Sequence, residues 1–401
     1  MADGGFSAWY DGAGNAESDA GNARFRAGRG FVDLPNGPAL DKHSTGGVGD
    51  KTTLVVVPIL AAAGIPILKM SGRGLGYSGG TVDKLEAIPG FRTGLSIDEA
   101  KKQVAQVGAA LIAQSAELAP ADKILYALRD VTATIECLPL IASSIMSKKL
   151  ASGGAKILLD VKVGRGAFMK TRTQAEALAR AMIEIGNGAG VPTSALLTAM
   201  DEPLGRNVGN ALEIQEALDV LANSADAEPL FRSLCLDLAA HGLLAMGKAA
   251  GAAAARTLAE TILQSGRALH KFGEIVAAQG GTADLNRLAD ELPQTKIRQE
   301  VRAESAGVVA RLDAETVGRL SVIMGAGRAA KSDSIDPAVG IVLKRKVGEN
   351  VLRGEPLAVL HLRDADAGRA EEFSALLQKA YQISPEAETP PPASLVLAAL
   401  D

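Results

Sequence analysis

The sequence predicts an α/β fold that gives way to a β-rich portion from about residue 300. Three observations predict it. Short apolar runs such as "IPILKMS", "AALIAQ", "AKILLDVKV" and "TSALLTAM" are too brief for independent helices and alternate with longer, capped or amphipathic stretches. Loops rich in Gly, Ser and Thr follow several of the short runs, as at the carboxyl ends of strands in open sheets. The last hundred or so residues turn to short β segments separated by Gly turns.

Taken in order, residues 1 to about 31 are rich in Gly, Ala, Asp and Asn, lack apolar periodicity and read as a disordered tail. "TTLVVVPILAAAG" reads as a helix entered from a glycine loop, and "IPILKMS" as a buried strand. "SIDEAKKQVAQVG" is a helix opened by a capping box, Ser96 with Glu99 three residues on. "AALIAQ" is a strand, and "LPLIASSIMSKKLASGG" a helix with Pro139 in its first turn and glycines after its last. "AKILLDVKV" is a strand, residues 173 to 186 a helix and "TSALLTAM" a strand, after which helices dominate to about Gly281. "AESAGVVARLD", "SVIMGAGRAA" and "VGIVLKRKVGENVLRGEPLAVLHL" are read as β segments. The last is similar to the hammerhead hairpin of biotinyl and lipoyl domains but lacks their attachment lysine motif, so it is scaffold.

Composition narrows the function. Hydrophobic residues make up 47% of the 401, enough for a large core, while aromatics at 3% poorly supply a base-stacking nucleic-acid surface. A net charge of −4 with mixed signs argues against a general polyanion binder but allows a local anion site. Cys137 and Cys235 fit no metal spacing and point to a reducing compartment. The apolar run from Thr53 to Ile65 is too short to span a bilayer, and no signal peptide is visible, so a soluble cytoplasmic protein is expected.

Three runs carry chemistry. "DKHSTGGVGDKTT", residues 41 to 53, is not a Walker P-loop, because Asp50 separates Gly49 from Lys51 and would repel a triphosphate. It reads as a solvated turn or as an anion socket. In the socket, Lys42 supplies charge, Ser44 and Thr53 supply hydroxyl donors, and the following helix points its positive end inward. "KMSGRGLGYSGGT", residues 69 to 81, contains G-x-G-x-x-G, but the next segment is cut at Pro89 and lacks the ribose-binding acid of a dinucleotide site. Two such loops converging on one crevice would clasp a phosphate with Ser44, Thr53, Ser71 and Thr81 as donors. Ordinary turn chemistry is the alternative for Ser71 and Thr81. In "LYALRDVTATIECLPLIASSIMSKK", Ser144 and Lys148 share a helix face, with Arg129 upstream, although Lys148 and Lys149 also suit a solvated helix end. His43, one of four histidines, reads as a structural hydrogen-bonder or a catalytic group.

These runs, with "LAPADKILYALRDVTAT", "PLIASSIMSKKLASGGAKILLDVKVGRGAFMK" and "SIDPAVGIVLKRKVG", resemble the thymidine and pyrimidine-nucleoside phosphorylases over most of the chain from about Val32. "SSIMSKK" and "GAFMK" are more similar to the bacterial enzymes that accept both uridine and thymidine. The resemblance implies reversible phosphorolysis of pyrimidine nucleosides to free base and (deoxy)ribose 1-phosphate, with phosphate as co-substrate and no organic cofactor. It implies phosphate binding at Lys42, His43, Ser44, Thr53, Lys69, Met70, Ser71 and Thr81, and the pyrimidine against Arg129, Ser144 and Lys148. His43, Arg129 and Lys148 would then be catalytic, with His43 near the base O2. It further implies a potassium ion held by Gly49, Lys51, Leu204, Asn207 and Glu216. Lys51 departs from the Thr that bacterial relatives often carry there, and an ammonium at that position would weaken cation binding.

For architecture, the resemblance implies a large α/β domain with a mixed sheet plus a small helical domain. The division is 1–31 unmatched, 32–119 and 153–401 as the α/β domain, and 120–152 as a remnant of the helical one. Partners are a nucleoside and phosphate, with no nucleic acid or membrane, and a homodimer. The family's N-terminal helices have no counterpart in residues 1–31, so a truncated or misread start, a weakened dimer and an exposed apolar patch on the helix from Pro139 to Leu150 are expected. A strict thymidine phosphorylase, an anthranilate-type phosphoribosyltransferase and an inactive binder of phosphate or nucleobase are the alternatives.

Overall fold

The computed structural model describes residues 34, 36–74, 76–114, 122, 137–328, 333–385 and 394–401. Residues 1–31 and the stretch 123–136, which contains Arg129, lie outside the described residues. The first half alternates strands and helices as its sequence implies, except that the strand β1 takes in Asp41–Ser44, read from sequence as part of the glycine loop: β1 (Leu40–Ser44), α1 (Thr52–Ala62), β2 (Ile67–Ser71), α2 (Thr81–Leu85), α3 (Ile97–Val107), β3 (Ala109–Ala113), α4 (Leu138–Ala151), β4 (Lys156–Val163), α5 (Arg172–Gly188) and β5 (Thr193–Ala199). The two-residue strand β6 (Asn207–Val208) is followed by five helices: α6 (Asn210–Leu221), α7 (Pro229–Ala245), α8 (Ala252–Gln264), α9 (Arg267–Ala278) and α10 (Leu285–Glu291). The capping box of α3 forms as expected, with Ser96 accepting from the Glu99 amide and Glu99 reaching back to the Ser96 amide.

Strands β1, β4 and β5 are parallel neighbours, and β13 (Val396–Leu400) closes that sheet antiparallel to β5. The sheet is therefore mixed. Strands β2 and β3 form a parallel pair, joined to β1 by the Leu40 amide donating to the Pro66 carbonyl at 3.2 Å. Parallel strands need covered faces, and their apolar runs are buried accordingly. Helix α1 is apolar all round, which is the signature of a core helix, and residues Thr52 to Ala61 are all buried. It lies against α7 and α9. Burying this helix carries its polar first turn into the middle of the protein.

Gln279 shows how the β2–β3 pair is held. Fully buried at the end of α9, it donates to the carbonyls of Arg92 (2.7 Å) and Leu111 (2.8 Å) and accepts from the Leu111 amide (2.9 Å) and from Gln103 (3.2 Å). It satisfies backbone groups of β3 that no neighbouring strand among the described residues reaches.

The C-terminal portion is built from β7 (Ile297–Arg302), β8 (Gly307–Leu312), α11 (Ala314–Met324), β9 (Gly340–Leu343), β10 (Asn350–Val351), β11 (Pro356–Leu362), α12 (Ala370–Gln378) and β12 (Tyr381–Ser384). They make two antiparallel sheets in the orders β6-β9-β11-β7 and β10-β8-β12. The expectation of strand for "SVIMGAGRAA" fails at its start, since Ser321–Met324 complete α11. Asp313 caps that helix by accepting from the Thr316 amide, and Val317, Leu320 and Met324 bury one helical face before Gly325 ends it in the left-handed region at φ 106°.

The exposed apolar patch expected on the helix from Pro139 to Leu150 is also absent. Ile141, Met146 and Leu150 of α4 are buried in one cluster with Leu178, Met182 and Ile185 of α5, and Ile145 is half-buried against it. The partner is α5, which the α/β body itself supplies.

Replacing Gln279 by Leu, similar in bulk, should destabilise the protein by roughly 1–3 kcal/mol for each buried backbone group left without a partner. A urea unfolding midpoint equal to wild type would show that the amide network is dispensable.

Candidate active site

The two sequence loops leave the carboxyl ends of two strands. Lys42, His43 and Ser44 are the last residues of β1, and Lys69, Met70 and Ser71 the last of β2. Thr53 stands in the first turn of α1, and Thr81 opens α2. The first loop folds tightly: Gly49 has φ +74°, and a Cβ there would meet the Leu204 carbonyl oxygen at 2.6 Å. In the second, a Cβ on Gly80 would lie 2.1 Å from the Gly74 nitrogen, so the two limbs touch backbone to backbone.

Side chains alternate across β1, and the alternation sorts the chemistry. Lys42 faces α1 and the charged face of β4. Its ammonium donates to Thr52 Oγ1 (2.7 Å) and Asp160 Oδ2 (3.3 Å). Asp160 also pairs with Lys162 (2.9 Å) and accepts from Thr198 (2.7 Å), and all four side chains are fully buried. Ser44 donates to Asp50 (2.5 Å), which accepts as well from the Thr52 hydroxyl (2.8 Å) and amide (3.2 Å). Burial alone would raise the Asp50 pKa, but Lys162, Lys42 and these hydrogen bonds hold it far below the usual carboxylate range. Asp50 thus orients the loop from within.

Asp41 and His43 face the other way, toward α4. Asp41 accepts from Lys149 (3.0 Å) and from the Ser152 hydroxyl (2.5 Å). Lys149 is therefore buried and paired, and a solvated helix end is excluded for it. On the next face of α4, Lys148 donates to the Ser144 hydroxyl (2.9 Å) and carbonyl (2.8 Å) and pairs with Asp122 (2.6 Å). The expected Ser144–Lys148 face forms. Arg129 lies outside the described residues.

His43 is where the two sets meet. Its Nε2 is buried with no hydrogen-bond partner among the described residues. Burial first, and then the charges of Lys149, Lys69, Lys42 and Lys148, push its pKa well below the ordinary 6.5. Burial and the nearby Lys149 similarly push the Lys69 ammonium well below its usual value, opposed by Asp41. The Ser71 hydroxyl is likewise buried without a partner among the described residues. A free hydroxyl and a free imidazole edge thus lie beside a cluster of buried, partly compensated cations, surroundings that suit an anionic ligand.

The expected cation residues also come together, but around one of their own number. Lys51 Nζ lies 3.1 Å from the Gly49 carbonyl oxygen, 2.7 Å from that of Leu204, 3.1 Å from that of Asn207 and 2.6 Å from Glu216 Oε2. A further monovalent cation would compete for the same oxygens beside an ammonium of like charge, so the residues present do not fit one.

Sequence reading missed Asp160 and Lys162, which read as part of an apolar strand, and gave no role to Asp41 in the first glycine run or to Asp122. The signal was present in "KILLDVKV": an Asp and a Lys two apart share one face of an otherwise apolar strand.

Comparison with known proteins gives a class first. Residues 36–269 match the family described as "Glycosyl transferase family, a/b domain", and residues 308–384 match "Pyrimidine nucleoside phosphorylase C-terminal domain". The fold is shared with the crystal structure of anthranilate phosphoribosyltransferase from Thermus thermophilus, at a TM-score of 0.51 and 17% identity over 66% of this chain and 85% of that one. Within the class, the chain is 47% identical to the pyrimidine-nucleoside phosphorylase of Bacillus subtilis over 88% of its own length and 81% of the relative's. It is 49% identical to that of Staphylococcus aureus (strain USA300) over 84% and 78%. The chain belongs to the pyrimidine-nucleoside phosphorylase family.

A folded His43 that resists protonation has a thermodynamic consequence. Below pH 6.5 the unfolded chain takes up a proton that the folded imidazole refuses, so the unfolded state binds more protons and stability falls as pH drops. His361, pushed down to about 4 by burial and then by Arg298 and Lys344, acts in the same direction. The melting temperature should decline from about pH 7 to about pH 5, and His43→Gln should flatten part of that slope. A melting temperature flat over that window would contradict a neutral buried His43.

Proposed function

We infer that this enzyme cleaves pyrimidine nucleosides with phosphate, releasing free base and a (deoxy)ribose 1-phosphate. The observation that supports the reading is His43, whose Nε2 is buried without a partner among the described residues and which feels the charges of Lys42 and Lys69 as well as those of Lys148 and Lys149. A phosphate oxygen forms the bond to C1′ of the sugar, and the C1′–N1 electron pair departs with the pyrimidine. A proton from phosphate or solvent then neutralises the freed base.

The residues divide that work. Lys42, Lys69 and the hydroxyls of Ser44, Thr53, Ser71 and Thr81 hold phosphate against C1′, which is catalysis by positioning. Met70 lines the same strand end. Negative charge grows on the departing pyrimidine oxygens, where Lys148 and Arg129 supply positive charge and Ser144 a hydrogen bond. Because its pKa lies well below 6.5, His43 acts at neutral pH as a hydrogen-bond donor rather than as an imidazolium. No covalent nucleophile is required.

Acceptance of both uridine and thymidine is part of the proposal, supported by "SSIMSKK" on α4, since the helix bearing Ser144 and Lys148 would face the base. So are a cytoplasmic homodimer and a division of the chain near residues 120 and 152, supported by the family resemblance. Among the described residues no helix is long and apolar enough to cross a membrane.

Ser71→Ala and Thr81→Ala should each raise the phosphate KM, and the uridine KM much less. A hydrogen bond to a charged group contributes roughly 1.5–3 kcal/mol. Phosphate saturation curves superimposable on wild type for both variants would reject the socket.

Lys148→Met should lower kcat for uridine by orders of magnitude and leave the phosphate KM nearly unchanged, because its charge matters most as the base departs. A variant with near-normal kcat would reduce Lys148 to the structural partner of Asp122.

A further inference from the structure

We propose that the ammonium of Lys51 stands in for a bound monovalent cation, so that this enzyme carries its cation as a side chain and does not need potassium. Three backbone carbonyls and the Glu216 carboxylate converge on Lys51 Nζ at 2.6 to 3.1 Å. The side chain is fully buried, with the ring of Phe231 5.0 Å away on another side. Each of these four polar neighbours is an acceptor. Backbone carbonyls plus one carboxylate are the oxygen set that suits a hard cation, and an ammonium is a cation of comparable size that donates to the same oxygens.

The surrounding backbone is shaped for this occupant. Glu216 is locked by the amides of Arg206 (2.6 Å) and Asn207 (2.9 Å), and a Cβ on Gly205 would meet its carboxylate oxygens at 2.6 Å. On the far side of the same loop a second buried ammonium, Lys346, binds the carbonyls of Pro203 (2.7 Å) and Gly205 (3.1 Å) and pairs with Glu202. Carbonyls 203 and 205 therefore turn to Lys346, and carbonyls 204 and 207 to Lys51. Two lysines thus divide the carbonyls of one loop between them, and those of residues 204 and 207 are taken by Lys51.

The junction has a functional location. Lys51 immediately precedes the first turn of α1, where Thr53 stands. Glu216 lies on α6, which also carries Glu213, the partner of Lys84 at 3.2 Å in α2. Asn207 opens β6, which pairs with β9 of the C-terminal portion. Lys51 thus ties the first glycine loop, the helix beneath the second, and the C-terminal sheet through a single charge. It is a positioning residue for the phosphate site and touches no reacting atom.

The inference rests on the family reading only for its link to phosphate. The deciding readouts are melting temperature and cation binding, which need no turnover, so failure here is distinguishable from failure of the proposed activity; phosphate KM is a secondary readout. The purified full chain is dialysed into choline chloride, then compared in choline and potassium chloride at equal ionic strength. Wild type should melt at the same temperature in both, show no potassium heat by calorimetry, and have the same phosphate KM. Lys51→Thr, which opens the oxygen cage, should melt lower in choline and recover by a few degrees when potassium exceeds its dissociation constant about 100-fold. Its phosphate KM should rise in choline and fall back with potassium. Lys51→Met, which fills the cage without charge, should show no potassium response. Potassium binding or stabilisation in wild type would overturn the proposal, as would a folded Lys51→Thr indifferent to potassium. Should Lys51→Thr fail to fold in either salt, the wild-type comparison decides alone.

Discussion

The burial of ammonium groups governs this structure. Lys42, Lys51, Lys84 and Lys162 are among its largest fully buried side chains, and Lys69 and Lys149 are nearly so. An isolated charge in the interior is prohibitively costly, and removing one partner of a buried pair costs about 3–5 kcal/mol. Each lysine is therefore assigned oxygen: Asp160 serves Lys42 and Lys162, Glu216 serves Lys51, Glu213 serves Lys84 and Asp41 serves Lys149. Among the described residues Lys69 has only the Met70 carbonyl as a hydrogen-bond partner, at 3.0 Å. The buried Ser71 hydroxyl and His43 Nε2 also lack hydrogen-bond partners among the described residues, and this is the place proposed above for phosphate.

Strand β1 divides that potential into two jobs. Because successive side chains point to opposite faces, five residues, Leu40–Ser44, present Lys42 and Ser44 to the Asp160 network and Asp41 and His43 to α4. A shift of one residue would exchange the sets and dismantle both. The register is held by pairing with β4, in which Ser44 stands opposite Asp160. In the proposed mechanism that division would set phosphate and base on adjoining sides of the His43 imidazole, as an in-line displacement at C1′ requires.

The C-terminal portion, which offers no candidate catalytic residue of its own, completes the second glycine loop. Arg328 pairs with Asp83 at 3.0 Å, and Asp83 accepts from the Gly74 amide at 2.6 Å. Lys170 bridges Tyr77 of that loop (2.6 Å) to Glu315 of α11 (2.8 Å). With Lys346 on the Pro203 and Gly205 carbonyls, these contacts make the β-rich portion a brace for the two glycine loops.

The sequence by itself determined the alternation of strands and helices, the capping box at Ser96, the two glycine loops and the Ser144–Lys148 face. Each is a local property, set by periodicity, caps or spacing within a few residues. It also carried the family, because long ordered motifs survive intact. What the tertiary structure alone decided was which charges meet. Asp160 reads as one acid in an apolar strand, yet it lies 118 residues beyond the Lys42 it neutralises. Ile141 and Met146 read as an apolar face without a local partner, yet α5 covers them. Lys51 reads as an obstacle to a cation, yet its flexible stem lets the charge sit among oxygens from residues 49, 204, 207 and 216. Periodicity reports the face a residue occupies, but the partner that makes burial of its charge affordable comes from distant chain, and only packing brings the two within hydrogen-bond reach.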